Sequence, residues 1–312
     1  MQGLELSERY WREVGRPALA AACPEAAARW CAGLAGEGSE CFGYDDETSR
    51  DHDWGPGFCV WLDSEDFARF GAELQRAYEA LPRRFAGFER REEPEGAGRV
   101  GVLDAGAFYR RFIGLDEPPR TVGQWLALDD EALALCVNGR VFEQPADGGP
   151  CRFMAMRAEF EAYYPEDIRL KKLAAHCALA AQAGQYNYAR CLRRGEAAAA
   201  LEALGRFVHH VQAAAFLLNR RYRPYYKWAN RALADLPREG VRLAARLDAL
   251  AAGNPLQQEG AVEEASGIVI GLLRGEGLSA SGSDFLLDHA RQVQAAVRHE
   301  AIRELPLMAY RV

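Results

Sequence analysis

The chain has no apolar run long enough to span a bilayer. Its longest uncharged stretch, Ala174 to Ala189, is interrupted by Gln182, Gln185 and Asn187, so no transmembrane helix is expected. The N-terminus, MQGLELSERYW, has no basic segment followed by an apolar one and reads as no signal peptide. None of the eight cysteines forms a C-x-x-C pair, and Cys and His are not clustered at metal-ligand spacing. The sequence signature of a zinc site is therefore absent, and free thiols in a reducing cytoplasm are expected. Lysine is scarce, with three in the chain, and the pI is near 5.5. That balance argues against a long nucleic acid as partner, though not against a small nucleotide. No internal repeat and no low-complexity tail is found.

What is present is an ordinary globular composition, 49% hydrophobic and 27% charged over 312 residues, enough for two domains. The net charge of −7 hides an asymmetry. Residues 1–150 carry 16 basic and 28 acidic side chains, whereas residues 151–312 carry 22 and 17. Two oppositely charged halves can attract one another or hold opposite ends of one charged ligand.

Apolar periodicity predicts helices over 4–21 and 24–32, with Pro24 suited to a first turn. "FCVWL" (58–62) and "RVGVL" (99–103) are strand candidates. A helix follows from Ser64, read as its N-cap, and 88–98 reads as a charged loop. Short helices are expected at 105–114 and 121–137. "QPADGGP" (144–150) has the composition of a domain edge. Beyond it the pattern is helical over 153–163, 167–191, 195–222, 224–251, 258–274 and 283–304. The expected architecture is an α/β (α+β) domain with a small mixed sheet over 1–148, then an all-α helical bundle over 149–312.

One stretch stands apart. "GEGSECFGYDDETSRDHDWGP" (36–56) holds seven carboxylates around a single Arg50. On an extended strand Asp51 and Asp53 point to one face, about 7 Å apart, with His52 on the other. Two such anions raise each other's pKa unless a cation lies between them. Hard oxygen ligands with room for water favour Mg²⁺, or Mn²⁺. An EF-hand does not fit: with Asp51 at position 1 and Asp53 at position 3, Trp54 takes position 4 and Gly55 falls where the third oxygen ligand belongs. Gly38 lets a ligand approach the backbone, and Ser39 adds a hydroxyl, so the pair can cradle a phosphate. Asp45, Asp46 and Glu47 read as a solvated turn with Ser49 bonding locally. Arg50 reads as holding Asp51 or Glu47, or as touching substrate.

Gly-Ser, eleven residues, then Asp-x-Asp before an apolar strand resembles the signature of the DNA polymerase β-like nucleotidyltransferase superfamily. The stretch "SRDHDWGP", with the later "YYKW" (225–228), is similar to an uncharacterised bacterial branch that adds a helical C-terminal domain. The resemblance implies a metal-dependent nucleotidyltransferase fold and activity, with AMP moved from ATP onto a hydroxyl-bearing acceptor of unknown kind. It implies Asp51 and Asp53 as metal ligands and a third carboxylate on a neighbouring strand. Asp104, closing "RVGVLD", either supplies that carboxylate or caps the helix beginning near Gly106. Asp63 and Glu65 are further options that also suit a helix start.

In the helical half, "NRRYRPYYKW" (219–228) groups four cations with four aromatics. A helix break at Pro224 would aim Arg221, Tyr226 and Lys227 into a cleft as countercharge for a triphosphate. The plainer reading is a helix end with arginines lying along the surface. His209-His210 reads as packing. Two rival functions stay open: a nucleotide-binding regulator without turnover, and a helical ribonuclease using Arg169 and His176. A monomer or homodimer without membrane contact is expected.

Overall fold

The computed structural model describes residues 1–50, 53–91, 96, 98–146, 148 and 151–311. The chain divides into two compact units, residues 1–118 with 132–162, and residues 119–131 with 163–312.

The first unit is built on a four-stranded mixed sheet. In chain order, β1 is Cys31–Leu34, β2 is Cys59–Leu62, and β3 (Arg84–Phe85) pairs with β4 (Phe88–Glu89) as a separate hairpin. β5 (Gly101–Asp104) and β6 (Arg140–Glu143) return to the main sheet, whose order is β5-β2-β1-β6. β5 runs parallel to β2, while β1 is antiparallel to both β2 and β6. β1 and β2 are buried throughout, so they read as continuous apolar runs rather than alternating ones.

β1 replaces part of the helix expected over 24–32. Only Pro24–Ala26 is helical there, as a single 3-10 turn. Alanine favours a helix locally, but the segment is held on both edges by strand neighbours, and tertiary pairing overrides propensity. β6, which periodicity did not mark, lies so close that a side chain at Gly33 would meet the Arg140 carbonyl at 2.4 Å. Trp11 and Trp30 both donate to the carboxylate of Glu143, each at 3.2 Å, and Arg16 adds an ion pair at 2.8 Å. These contacts fix β6 against the N-terminal helices.

The Pro/Gly-rich segment near 148 lies within the first unit. After it, the helix Arg152–Glu161 packs back on the sheet, with Phe153 stacked on Trp61 at 3.7 Å between ring centroids. The helix Ser64–Glu79 has Asp63, not Ser64, at its N-cap.

The second unit is helical. Helices Glu166–Ala180, Ala197–Leu218, Pro255–Gly275 and Leu286–Ala295 form its centre. Small residues bring them close: a side chain at Gly184 would sit 2.3 Å from the Phe207 ring. Two of the three lysines are buried here and satisfied by carbonyls. Lys171 donates to Pro306 and Leu307 at 2.8 and 2.9 Å, and Lys172 to Leu128 at 2.8 Å. The expected long helix over 224–251 is two, Tyr226–Ala234 and Gly240–Ala252. No helix of the described residues is long and apolar enough to cross a membrane.

Candidate functional site

Strand β1 delivers the chain into a glycine-rich turn. Gly36 and Gly38 both have positive φ, +102° and +119°, in the region that glycine enters without steric penalty. Asn138 clamps the first of them, accepting from Gly36 N and donating to Gly36 O, both at 2.8 Å. Ser39 is αR and opens the 3-10 turn Glu40–Phe42, its carbonyl accepting from Phe42 and Tyr44. Among the described residues, none accepts from the amides of Gly38 and Ser39.

One positive charge among these carboxylates is Arg99, just ahead of β5, which pairs with Glu40 and Asp53. Its Nη2 donates to the Glu37 carbonyl at 2.8 Å and to the Glu40 carboxylate at 2.7 Å. Its Nη1 donates to the Asp53 carbonyl at 3.0 Å and stands 3.8 Å from the Asp53 carboxylate. Gly38 lies against the same guanidinium, where an added Cβ would meet Nη2 at 2.3 Å. One arginine thus joins the Gly-Ser turn to Asp53. Burial lifts the Glu40 carboxyl above its ordinary value, and the Arg99 charge opposes that shift. Burial by itself would lower Arg99, but Glu40 and Asp53 outweigh it and raise its pKa.

The remaining acids divide by role. Glu37 pairs with Arg111 at 2.5 Å. Asp46 closes a local turn, accepting from Thr48 N at 2.9 Å and Ser49 N at 3.1 Å, as expected of a solvated turn. Asp45 differs: its Oδ2 accepts from Gly3 N at 2.8 Å and Trp54 Nε1 at 3.2 Å. Its Oδ1 is buried with no hydrogen-bond partner among the described residues. Asp45 lies close enough to Glu40 to raise the Glu40 pKa further, and among the described residues these acids do not gather into a metal-binding group. Arg50 takes the structural role, its guanidinium lying 5.0 Å from the Trp54 ring and 5.4 Å from Phe88.

Two expectations are corrected here. The extended geometry assigned to 51–53 does not hold at Asp53, whose φ is +47°, so strand alternation cannot set its direction. Asp51 and His52 lie outside the described residues. Asp104 proves to be a helix cap, its Oδ1 accepting from Ala107 N at 2.6 Å. It pairs with Leu62, whereas the Gly-Ser turn leaves the sheet beside Cys59 and Gly101, about 10 Å away along the strands.

In the second unit, the helix does break around Pro224, between Leu218 and Tyr226. Arg221 and Lys227 are exposed, as is Tyr226 at 85%, and Lys227 lies 5.4 Å from the Trp228 ring. The buried cation of that segment is Arg223, which pairs with Glu131. Arg169 is consumed by Glu166, Glu276 and the Leu217 carbonyl, which removes it as a nuclease arginine. His176 lies with His209 and His210, a cluster hidden from sequence because its members sit on different helices.

Compared with known proteins, residues 125–229 match a family described only as a domain of unknown function (DUF4037). The match covers about a third of the chain. No curated protein and no solved structure matches.

Proposed function

We propose that the chain is a metal-dependent nucleotidyltransferase that moves AMP from ATP onto a hydroxyl-bearing acceptor. The observation that supports this reading most is that one side chain, Arg99, contacts both the Glu37–Gly38 turn just ahead of Ser39 and Asp53. Gly38 and Ser39 lie fifteen and fourteen residues before Asp53, and the shared arginine gives the two motifs one location.

In this reading the amides of Gly38 and Ser39 hold the terminal phosphates, and the missing Cβ at Gly38 leaves room for the Arg99 guanidinium and the Glu40 carboxylate beside the turn. Asp53 and Asp51 would hold Mg²⁺ through hard carboxylate oxygens. The metal, when bound, offsets the charge that develops between the α-phosphate and the departing pyrophosphate. Arg99 sets the spacing between turn and carboxylate and holds both through its fixed fork of donors. The chemistry is displacement at the α-phosphorus: the acceptor oxygen bonds to it, its bond to the pyrophosphate breaks, and the acceptor's proton passes to a base.

A second reading, a nucleotide-binding regulator without turnover, is favoured by one observation. Asp104, the one β5 carboxylate, is engaged as a helix cap through its Oδ1, which weakens it as a third catalytic carboxylate. Screening nucleoside triphosphates for pyrophosphate release with Mg²⁺ or Mn²⁺, using cell extract as the acceptor pool, separates the two. Release with label transferred supports the enzyme. Nucleotide binding without release supports the regulator.

A further inference from the structure

The chain contains six histidines, and three of them meet inside the helical unit. His176 comes from the helix Glu166–Ala180, and His209 and His210 from Ala197–Leu218. One ring nitrogen of each lies within 4.8 Å of the others, and Nδ1 of His176 is 3.0 Å from Nδ1 of His210. His176 and His210 are buried, and His209 is half-buried. We propose that His176, His209 and His210 form a site for a divalent transition-metal ion of the zinc class, with one coordination position left open.

The geometry is near what such an ion needs. Zinc binds imidazole nitrogen at about 2.0–2.1 Å in a tetrahedron, which places ligand nitrogens about 3.3 Å apart. The closest pair, at 3.0 Å, is near that spacing, and all three nitrogens lie within 4.8 Å of one another, so the rings would have to draw together to close the set. The donors are three nitrogens without a hard oxygen among them, which selects zinc and its neighbours over Mg²⁺.

A cavity of about 20 Å³ touches His176 and His209, which is room for about one water. Three protein nitrogens with an adjoining space for water is the pattern of an open zinc site rather than a closed structural one. Each cation lining that cavity has an acidic partner. Lys172 faces Asp130 at 4.0 Å, Arg223 pairs with Glu131, and Arg311 pairs with Asp129. Tyr310 covers the cluster, its ring 4.5 Å from that of His176. The alternative is a packed histidine pair in which one Nδ1–H donates to the other ring.

The test is titration of the metal-stripped full chain with Co²⁺ alone and Zn²⁺ alone, following the visible absorption of four-coordinate cobalt. One equivalent should bind with a Kd below about 1 μM, and Zn²⁺ should displace it. His176→Gln and His209→Gln should each weaken binding by more than about 100-fold, since even outer-shell changes cost that much. His299→Gln, at an exposed position, should change nothing, and neither should Asp53→Asn. His209 is half-buried, so His209→Gln carries the test if His176→Gln does not fold by circular dichroism. Absence of one-equivalent binding, or binding unchanged in folded His209→Gln, overturns the proposal. Because Asp53 is in the other unit, failure here leaves the nucleotidyltransferase reading untouched, and the reverse holds.

Discussion

Arg99 and Asp53 meet twice, through a hydrogen bond to the aspartate's carbonyl at 3.0 Å and an ion pair with its carboxylate at 3.8 Å. The same guanidinium binds the Glu37 carbonyl and the Glu40 carboxylate, so two backbone carbonyls and two carboxylates depend on one side chain. Arg99→Ala leaves the Glu40 carboxylate buried and unpaired, which costs about 3 kcal/mol or more. Urea denaturation should show that loss. Arg99→Lys keeps the charge but cannot span both acceptor sets, so it should recover only part of it. Equal stability of Arg99→Ala and wild type would remove Arg99 as the organiser of the site.

Gly38 is constrained twice, by its φ of +119° and by the Arg99 guanidinium at its missing Cβ. Gly38→Ala should cost about 1–3 kcal/mol through backbone strain and weaken ATP binding measured by calorimetry. Ser39→Ala should be milder, near the 1 kcal/mol of one neutral hydrogen bond. Unchanged ATP affinity in Gly38→Ala would contradict the phosphate-cradle role.

Cys151 begins the helix Arg152–Glu161 and is half-buried against the buried Cys31. A hydrogen bond from the Cys31 thiol, opposed by partial burial, brings Cys151 down to about 7. Iodoacetamide should therefore label it ahead of the fully buried thiols, with a rate that climbs through about pH 7 and levels above it. Peptide mapping across pH 5.5–9 checks this (about one unit either side of the transition is sufficient).

The histidine cluster makes the metal-free protein sensitive to acid. Burial, with the mutual repulsion of the rings, holds His176 well below its ordinary value and His210 at about 3. Burial and Arg223 hold His209 at about 4. Unfolded, each ring takes a proton near pH 6.5, so the unfolded state binds more protons below that pH. Stability is therefore full above about pH 6.5 and falls progressively toward pH 4. His210→Gln should flatten this dependence by about one proton in urea midpoints measured against pH. An unaltered slope would mean the rings are not neutral in the fold.

How much of this was legible in the sequence differs by element. "FCVWL" and "RVGVL" declared strands because short β-branched and aromatic runs fit nothing else at that length. The segment around Cys31 did not, because its alanines describe a helix until the flanking strands β2 and β6 are known. Asp104 could not be assigned from position alone, since a strand end and a helix start are the same residue. The Gly-Ser turn and the need for a cation were readable from charge density, yet one such cation is Arg99, sixty residues along and carried in by β5. His176 reaches His209 and His210 only because two helices pack side by side, a relation that no local spacing encodes.

The measurement that bears most directly on the account is transfer of α-labelled AMP from ATP to an acceptor in cell extract, with Mg²⁺, by wild type and by Asp53→Asn. Metal-assisted charge stabilisation is worth several kcal/mol, so the variant should lose about 1,000-fold in rate while keeping its fold by circular dichroism. Wild-type transfer that depends on the metal and disappears with Asp53→Asn is the predicted result. Transfer surviving at the wild-type rate in Asp53→Asn, or no transfer from any nucleoside triphosphate by wild type, would contradict it.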